Sequence, residues 1–262
     1  MSKLEEICRQ VRINILRMIE GAGSGHPGGS LSCVEILVAL YFHQMKKGDI
    51  FILSKGHAAP AFYAVLAEKG LIAKKELKTL RKLGSCLQGH TSSKYLPQVE
   101  FSAGILGQGL SFACGSASAI NSQHYILLSD GEMQCGKIWA AAQVASHLKL
   151  DNLCAIVDYN GCQIDGRINE IRNIEPLREK WESFGWKVFE TNGHNLQNLI
   201  ELFNDSAKVS KKSKMPAVII AHTVKGKGVS FMEDNNKFHG KPPAKEELSQ
   251  ALKELKGKLW RN

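Results

Sequence analysis

Residues 124–157 constrain the fold more than any other part of the chain. A β-branched, apolar run at 124–128 (HYILL) ends in SDGEMQCG, a helix-length segment fills 137–148, and a second apolar run occupies 153–157. Strand, helix and strand in that order make a βαβ unit, with parallel strands and a right-handed crossover. The alternation continues outward. Further strands are expected at 49–53, 186–190 and 217–221, and helices at 4–20, 31–42, 59–69, 74–82, 110–121, 174–184 and 196–208. GAGSGHPGGS at 21–30 should break the first helix, with Ser30 or Ser32 capping the second. The result is an α/β fold, a doubly wound, mostly parallel sheet with helices on both faces. With no internal repeat or long linker, residues 1–262 read as one domain with a basic extension from about residue 225.

Composition excludes several classes of function. The 262 residues carry a formal charge of +9, with 44% hydrophobic and 23% charged residues, which rules out wholesale disorder. Residues 208–262 hold a net +8, yet lack Arg/aromatic interleaving or a nucleic-acid-binding motif. That end reads as a solvated face or a contact for an acidic partner, and no nucleic acid is expected. No apolar run approaches the ~20 residues of a bilayer-spanning helix. The first turns are charged and lack a signal-peptide core. Seven cysteines without a CxxC pair imply neither a disulfide framework nor a cysteine metal site. A cytoplasmic protein, with no membrane partner, is the expectation.

In open parallel sheets, ligands bind beyond the carboxyl ends of the strands. Asp130-Gly131-Glu132 follows one strand here, and Asp158-Tyr159-Asn160-Gly161 follows the next. Alone, DG and NG are turn dipeptides. At neighbouring strand ends they bring a carboxylate and an amide oxygen together, half of an octahedral Mg²⁺ shell once a backbone carbonyl is added. Phosphate oxygens and water complete such shells. Gly131 lets the backbone approach a phosphate, and the following helix N-terminus favours its charge. His26, His57 and His90 lie in Gly-flanked loops rather than apolar stripes. His43, His124, His147, His194 and His222 read as structural.

Six phrases now carry a resemblance: SGHPGGSLS, FILSKGHAAPAFYA, LGQGLS, SDGEMQCG with Asn160 thirty residues beyond its Asp, LKLDNLCAIVDYNGCQIDG, and VKGKGVSFME. In this order they resemble the amino-terminal third to half of transketolase, and most of all the small subunit of split transketolases. The resemblance implies thiamine diphosphate and Mg²⁺ as cofactors, and transfer of a two-carbon ketol unit from a ketose to an aldose-like acceptor. It assigns Asp130, the Asn160 side chain and the Cys162 carbonyl to the metal. His57, Gly104, Ile105, Leu106, Gly131, Glu132 and His239 join Asp130 and Asn160 in the cofactor-binding set. His26, His57, His90 and His239 are the catalytic set, imidazoles facing sugar hydroxyls that must gain and lose protons near neutral pH.

The chain departs from the family at several positions. Ser129 replaces the first Gly of GDG, no Pro follows His90, and the text before SKGH is shortened. Cys135 and Ala140 stand where the family usually has interface glutamates that link its two cofactor sites. No stretch matches the half that carries the pyrimidine-contacting glutamate, and the chain reads as whole from Met1 to a terminal helix. A second subunit bearing that half is therefore expected, in a heterotetramer acting on sugar phosphates. Two alternatives stay open: delivery of the two-carbon unit to a carrier-bound acceptor, or a non-catalytic paralogue.

Overall fold

A computed structural model describes residues 2–257. Five strands, β1 (Ile50–Leu53), β2 (His124–Ser129), β3 (Leu153–Tyr159), β4 (Lys187–Asn192) and β5 (Ala217–His222), form one sheet in the order β1-β2-β3-β5-β4. Every pairing is parallel. The five expected strands are all present, within one or two residues of their expected ends.

Around the sheet lie α1 (Lys3–Ala22), α2 (Pro27–Leu31), α3 (Val34–Ala39), α4 (Ala59–Glu68), α5 (Gln108–Ala119), α6 (Gly136–His147), α7 (Ile168–Ile171), α8 (Leu177–Ser183), α9 (Leu196–Ser213) and α10 (Lys245–Gly257). Strand side chains alternate between two cores, as a pleat requires. Phe51, Leu53, Tyr125, Leu127, Ile156 and Ile219 enter one, with residues of α1 to α4, α9 and α10. Ile52, Ile126, Leu128, Val157, Val218 and Ile220 enter the other, with α5, α6, α7 and α8. Because both faces are covered, β2 and β3 are apolar almost throughout. β5 returns between β3 and β4, so the direction of winding reverses. Right-handed crossover then requires α9 to lie on the face opposite α6.

Several local expectations change. The first helix does break in this stretch, at Gly23, but Pro27 then opens α2, so the glycines after His26 are helical. Neither Ser30 nor Ser32 caps a helix N-terminus: Ser30 lies inside α2, and Ser32 follows its last turn, with its hydroxyl donating to Asp158 at 2.6 Å. The segment expected as a helix at 74–82 is a 3₁₀ stretch, Lys74–Thr79. The helix expected at 174–184 is confined to Leu177–Ser183, because the residue before Pro176 is sterically barred from helical geometry. The basic end folds back onto the body, with Lys225 buried and α10 packed against α1 through Ala251 and Leu255. Among the described residues, no helix is long and apolar enough to cross a membrane.

Candidate active site

The carboxyl ends of β1, β2, β3 and β5 open onto one cavity of about 360 Å³, within the range of small-molecule sites. SKGH follows β1, Asp130-Gly131 follows β2, Asn160 follows β3 and Lys225 follows β5. Two glycines of LGQGLS allow the fifth wall. Gly107 has φ +82, and a Cβ on Gly109 would meet the Ser54 hydroxyl at 2.5 Å, so α5 can approach β1 only as glycine there.

The four imidazoles converge. The His26 ring centroid lies 5.6 Å from His57, 6.2 Å from His90 and 5.4 Å from His239, and His57 lies 5.7 Å from His239. Nδ1 of His26 is buried without a hydrogen-bond partner. Burial, then the charge of Arg81 and the His90 ring, push the pKa of His26 down to about 4. Burial and the neighbouring Lys225 hold His239 at about 4 as well. Burial, with Lys55 next in weight, depresses His57, and burial with Arg81 depresses His90. Crowded and half-buried, these rings are neutral at pH 7. They meet a ligand as neutral donors and acceptors, not as the half-protonated groups expected from an isolated imidazole.

Asp130 and Asn160 sit side by side in the same wall. Asp130 accepts from the Gly131 amide at 2.8 Å and the Gly161 amide at 2.7 Å, while Asn160 Oδ1 accepts from the Cys162 amide at 3.2 Å. Burial, and then the nearby Asp158, push the Asp130 carboxyl up to about 7. A cation beside it is therefore strongly favoured. Among the described residues, no group of three or more His, Cys, Asp or Glu could hold a metal alone. Neutral oxygens and ligand phosphates must complete any shell here, which suits Mg²⁺. A Cβ on Gly104 or Gly131 would meet nothing within 4 Å, so the cavity has room against both backbones. These residues fit a Mg²⁺-bound diphosphate. Ser129, the departure from GDG, is extended at φ −99, a conformation open to any residue.

Gly104, Leu106 and Cys162 also line the cavity. Two expected residues do not. Ile105 is 61% exposed and is not among the lining residues. Glu132 is fully buried and engaged internally. Its carboxylate accepts from the Ser54 hydroxyl, from the Gly107 amide at 3.0 Å and from the Ser129 amide at 2.8 Å. It ties three loops behind the site and has no oxygen turned to a ligand, which corrects its placement in the cofactor-binding set.

Two residues escaped the sequence reading. Lys55 is fully buried and pairs with Asp158, which also accepts from the hydroxyls of Ser32 and Thr223. Lys225 lines the cavity at 1% exposure. Both lysines lie inside recognisable phrases, SKGH and VKGKG, and that was the one signal available.

The chain matches the family described as "Transketolase, thiamine diphosphate binding domain" over residues 4–258. It belongs to the transketolase family. It is 38% identical to one subunit of the apulose-4-phosphate transketolase of Phocaeicola vulgatus, over 95% of this chain and 92% of that protein. The 6-deoxy-6-sulfo-D-fructose transketolase subunit SqwG of Clostridium sp. is also 38% identical, over 96% of this chain and 97% of that one. Human transketolase is 36% identical, but the chain spans only 42% of its length. The crystal structure of the Campylobacter jejuni transketolase superposes with a TM-score of 0.87 at 30% identity, covering 97% of this chain and 42% of the other. This is the thiamine diphosphate-binding, amino-terminal part of a ketol-transferring transketolase.

Proposed function

We propose that the chain is one subunit of a two-subunit transketolase, moving a two-carbon ketol unit between sugars, with Mg²⁺ and thiamine diphosphate in the cavity. The observation that carries this reading is the meeting of Asp130 and Asn160 with four imidazoles in one cavity. Asp130, the Asn160 side chain and the Cys162 carbonyl would hold the metal, and Gly131 and His57 would contact the diphosphate. Gly104 and Leu106 would border the ring system. The bound cofactor supplies the nucleophilic carbon and stabilises the charge that develops on the transferred unit. His26, His57, His90 and His239 then hydrogen-bond the sugar's hydroxyl and carbonyl oxygens, and imidazoles of this set exchange protons with them.

The pyrimidine-contacting glutamate would come from a second subunit, in a heterotetramer. Exposed apolar residues around the cavity support such a partner, with Ile105 61%, Leu106 40% and Phe112 40% exposed. Seven unpaired cysteines suit a reducing compartment, and the proposed location is cytoplasmic. The two relatives that match nearly end to end are named for a sugar phosphate and a sulfo sugar, and an anionic ketose or aldose is the proposed substrate class. Co-production with the protein encoded beside it, followed by a donor–acceptor screen with Mg²⁺ and thiamine diphosphate, tests the reading. Ketol transfer by the assembly and not by the 262-residue chain alone is the expected result. An assembly that takes up the cofactor yet transfers to no acceptor in the screen would overturn it.

A further inference from the structure

The two ring nitrogens of His239 face different surroundings. Nδ1 lies 3.0 Å from Lys225 Nζ, and the same Nζ is 3.1 Å from the Gln163 carbonyl oxygen and 3.4 Å from Asn236 Oδ1. An ammonium has three N–H donors and no lone pair. Its three neighbours are a carbonyl oxygen, an amide oxygen and a ring nitrogen, so all three must accept. Nδ1 of His239 therefore carries no proton, and the ring's one N–H is on Nε2. That nitrogen has no protein partner among the described residues, and the ring lines the cavity.

We propose that Lys225 is a positioning residue that fixes His239 as the Nε2–H tautomer, so that His239 offers the sugar a hydrogen-bond donor and never a lone pair. The inference rests on the ketol transfer proposed above for its chemical consequence, though not for the tautomer itself. Only a neutral ring can accept at Nδ1, and burial with the Lys225 charge keeps this one neutral at pH 7. A donor-only imidazole stabilises a sugar oxygen that gains negative charge, and proton removal falls to the other rings.

The lysine is held for this task. Its stem passes over Gly28, where a Cβ would meet Lys225 Cγ at 3.0 Å and the Phe238 carbonyl oxygen at 3.0 Å. The Gly226 amide donates to the Gly28 carbonyl at 3.0 Å, and the Asp234 amide to the Lys225 carbonyl at 2.9 Å. A merely structural lysine would be satisfied by oxygens, whereas this one directs a donor at the ring nitrogen of a cavity histidine. His26, His57 and His90 have no such anchor on either ring nitrogen among the described residues.

Selective ¹⁵N labelling of histidine in the full chain, read by long-range ¹H–¹⁵N correlation near pH 7, tests the tautomer without any assay. The His239 signals are those lost in His239→Gln. The wild type is expected to show protonated Nε2 and bare Nδ1, Lys225→Arg to keep that pattern, and Lys225→Met to populate both tautomers. A wild-type ring protonated on Nδ1, or a Lys225→Met pattern identical to wild type, overturns the proposal. Should Lys225→Met fail to fold, the wild-type and Arg spectra decide. In the assembled enzyme, Lys225→Met should lower kcat roughly tenfold or more at nearly unchanged donor KM, with Arg restoring most of it. Unchanged kcat would overturn the catalytic consequence. A wild-type assembly without transfer activity would sink the ketol-transfer reading and leave the tautomer result standing.

Discussion

Asp130 and Asp158 close neighbouring strands, both buried, yet among the described residues only Asp158 has a cation in contact, the ammonium of Lys55. Burial, and then the Asp158 charge, push the Asp130 carboxyl up to about 7, although the Gly161 and Gly131 amides that donate to it pull the other way. One carboxylate is neutralised from within, and the other is left to be neutralised by what binds. Structural and ligand-binding roles are thereby divided between two residues of the same type.

Asp130→Asn separates these roles. The amide keeps an oxygen for the Gly131 or Gly161 amide and removes a poorly compensated charge, so the chain without cofactor should be as stable as wild type or more so. Mg²⁺-dependent affinity for thiamine diphosphate should fall roughly 100-fold or more, as when one partner of a buried charge pair is removed. Calorimetric titration of the assembled enzyme measures both binding constants, and equal affinities would refute the metal assignment.

Lys55→Met gives the opposite result. It leaves Asp158 charged and buried beneath the site, where it also holds the hydroxyls of Ser32 and Thr223. The expected cost is about 3 kcal/mol, a Tm lower by roughly 6–12 °C. Lys55→Met/Asp158→Asn should recover much of that loss, since the stranded charge is gone. Thermal unfolding of the single and double variants decides it, and additive losses would show that Lys55 acts by packing alone.

These lysines mark where the sequence was hard to read. The strands were legible because both faces of β2 and β3 are buried, which leaves an unbroken apolar run. Asp130, Asn160 and three of the cavity histidines were legible because the sheet dictates where loops converge and glycine marks those loops. Lys55 and Lys225 were not, because a buried lysine looks like a surface lysine until its acceptors are known, and those acceptors lie as far off in sequence as Asp158 and Gln163. Glu132 was misassigned for a related reason: its neighbours Ser54 and Gly107 arrive from other loops. The helix expected at 74–82 tightened into a 3₁₀ stretch with only Leu77 buried along it, too little apolar face to hold a full helix on the body.

The depressed histidine pKa values give a pH signature. His26 has a folded pKa of about 4 against an ordinary 6.5, so between these values the unfolded chain binds a proton that the folded chain does not. Stability contributed by the neutral ring is present above about pH 6.5, is lost progressively as pH falls toward 4, and changes no further below that. Asp130, raised to about 7, works in the opposite sense, so the diagnostic quantity is the difference between wild type and His26→Gln. Chemical denaturation from pH 7 to 4 should show a gentler loss for the variant. The full one-proton slope of ~1.4 kcal/mol per pH unit is an upper limit, reduced by solvent screening of a partly exposed ring. Parallel curves would mean that His26 titrates normally.

The last prediction concerns Cys135 and Ala140, where the family usually carries glutamates. Cys135 sits half-buried before the first turn of α6, with its Cβ 2.9 Å from where a side chain on Gly107 would begin. Ala140 is exposed one turn inside, in line with Val144 at 47% and Leu148 at 50% exposure, so the outer side of α6 carries a narrow apolar stripe at four-residue spacing between Lys137, Gln143 and His147. Such a stripe is suited to burial against a partner chain, and two carboxylates placed on it would have to be desolvated there. Neither a thiol nor a methyl can share protons between sites as paired carboxylates do. The assembled enzyme is therefore expected to bind thiamine diphosphate with a single affinity at both sites. Ala140→Glu should leave the Tm of the chain alone within roughly 2 °C, as for an exposed helix position. Cys135→Glu/Ala140→Glu should weaken assembly and lower, not raise, turnover, because the longer side chain at 135 presses on the Gly107 loop beside the cavity. Sedimentation of the double variant with its partner and a cofactor titration of the wild type check both halves. Two resolved affinities in the wild type, or a fully assembled and faster double variant, would show that these positions do not set the coupling between sites.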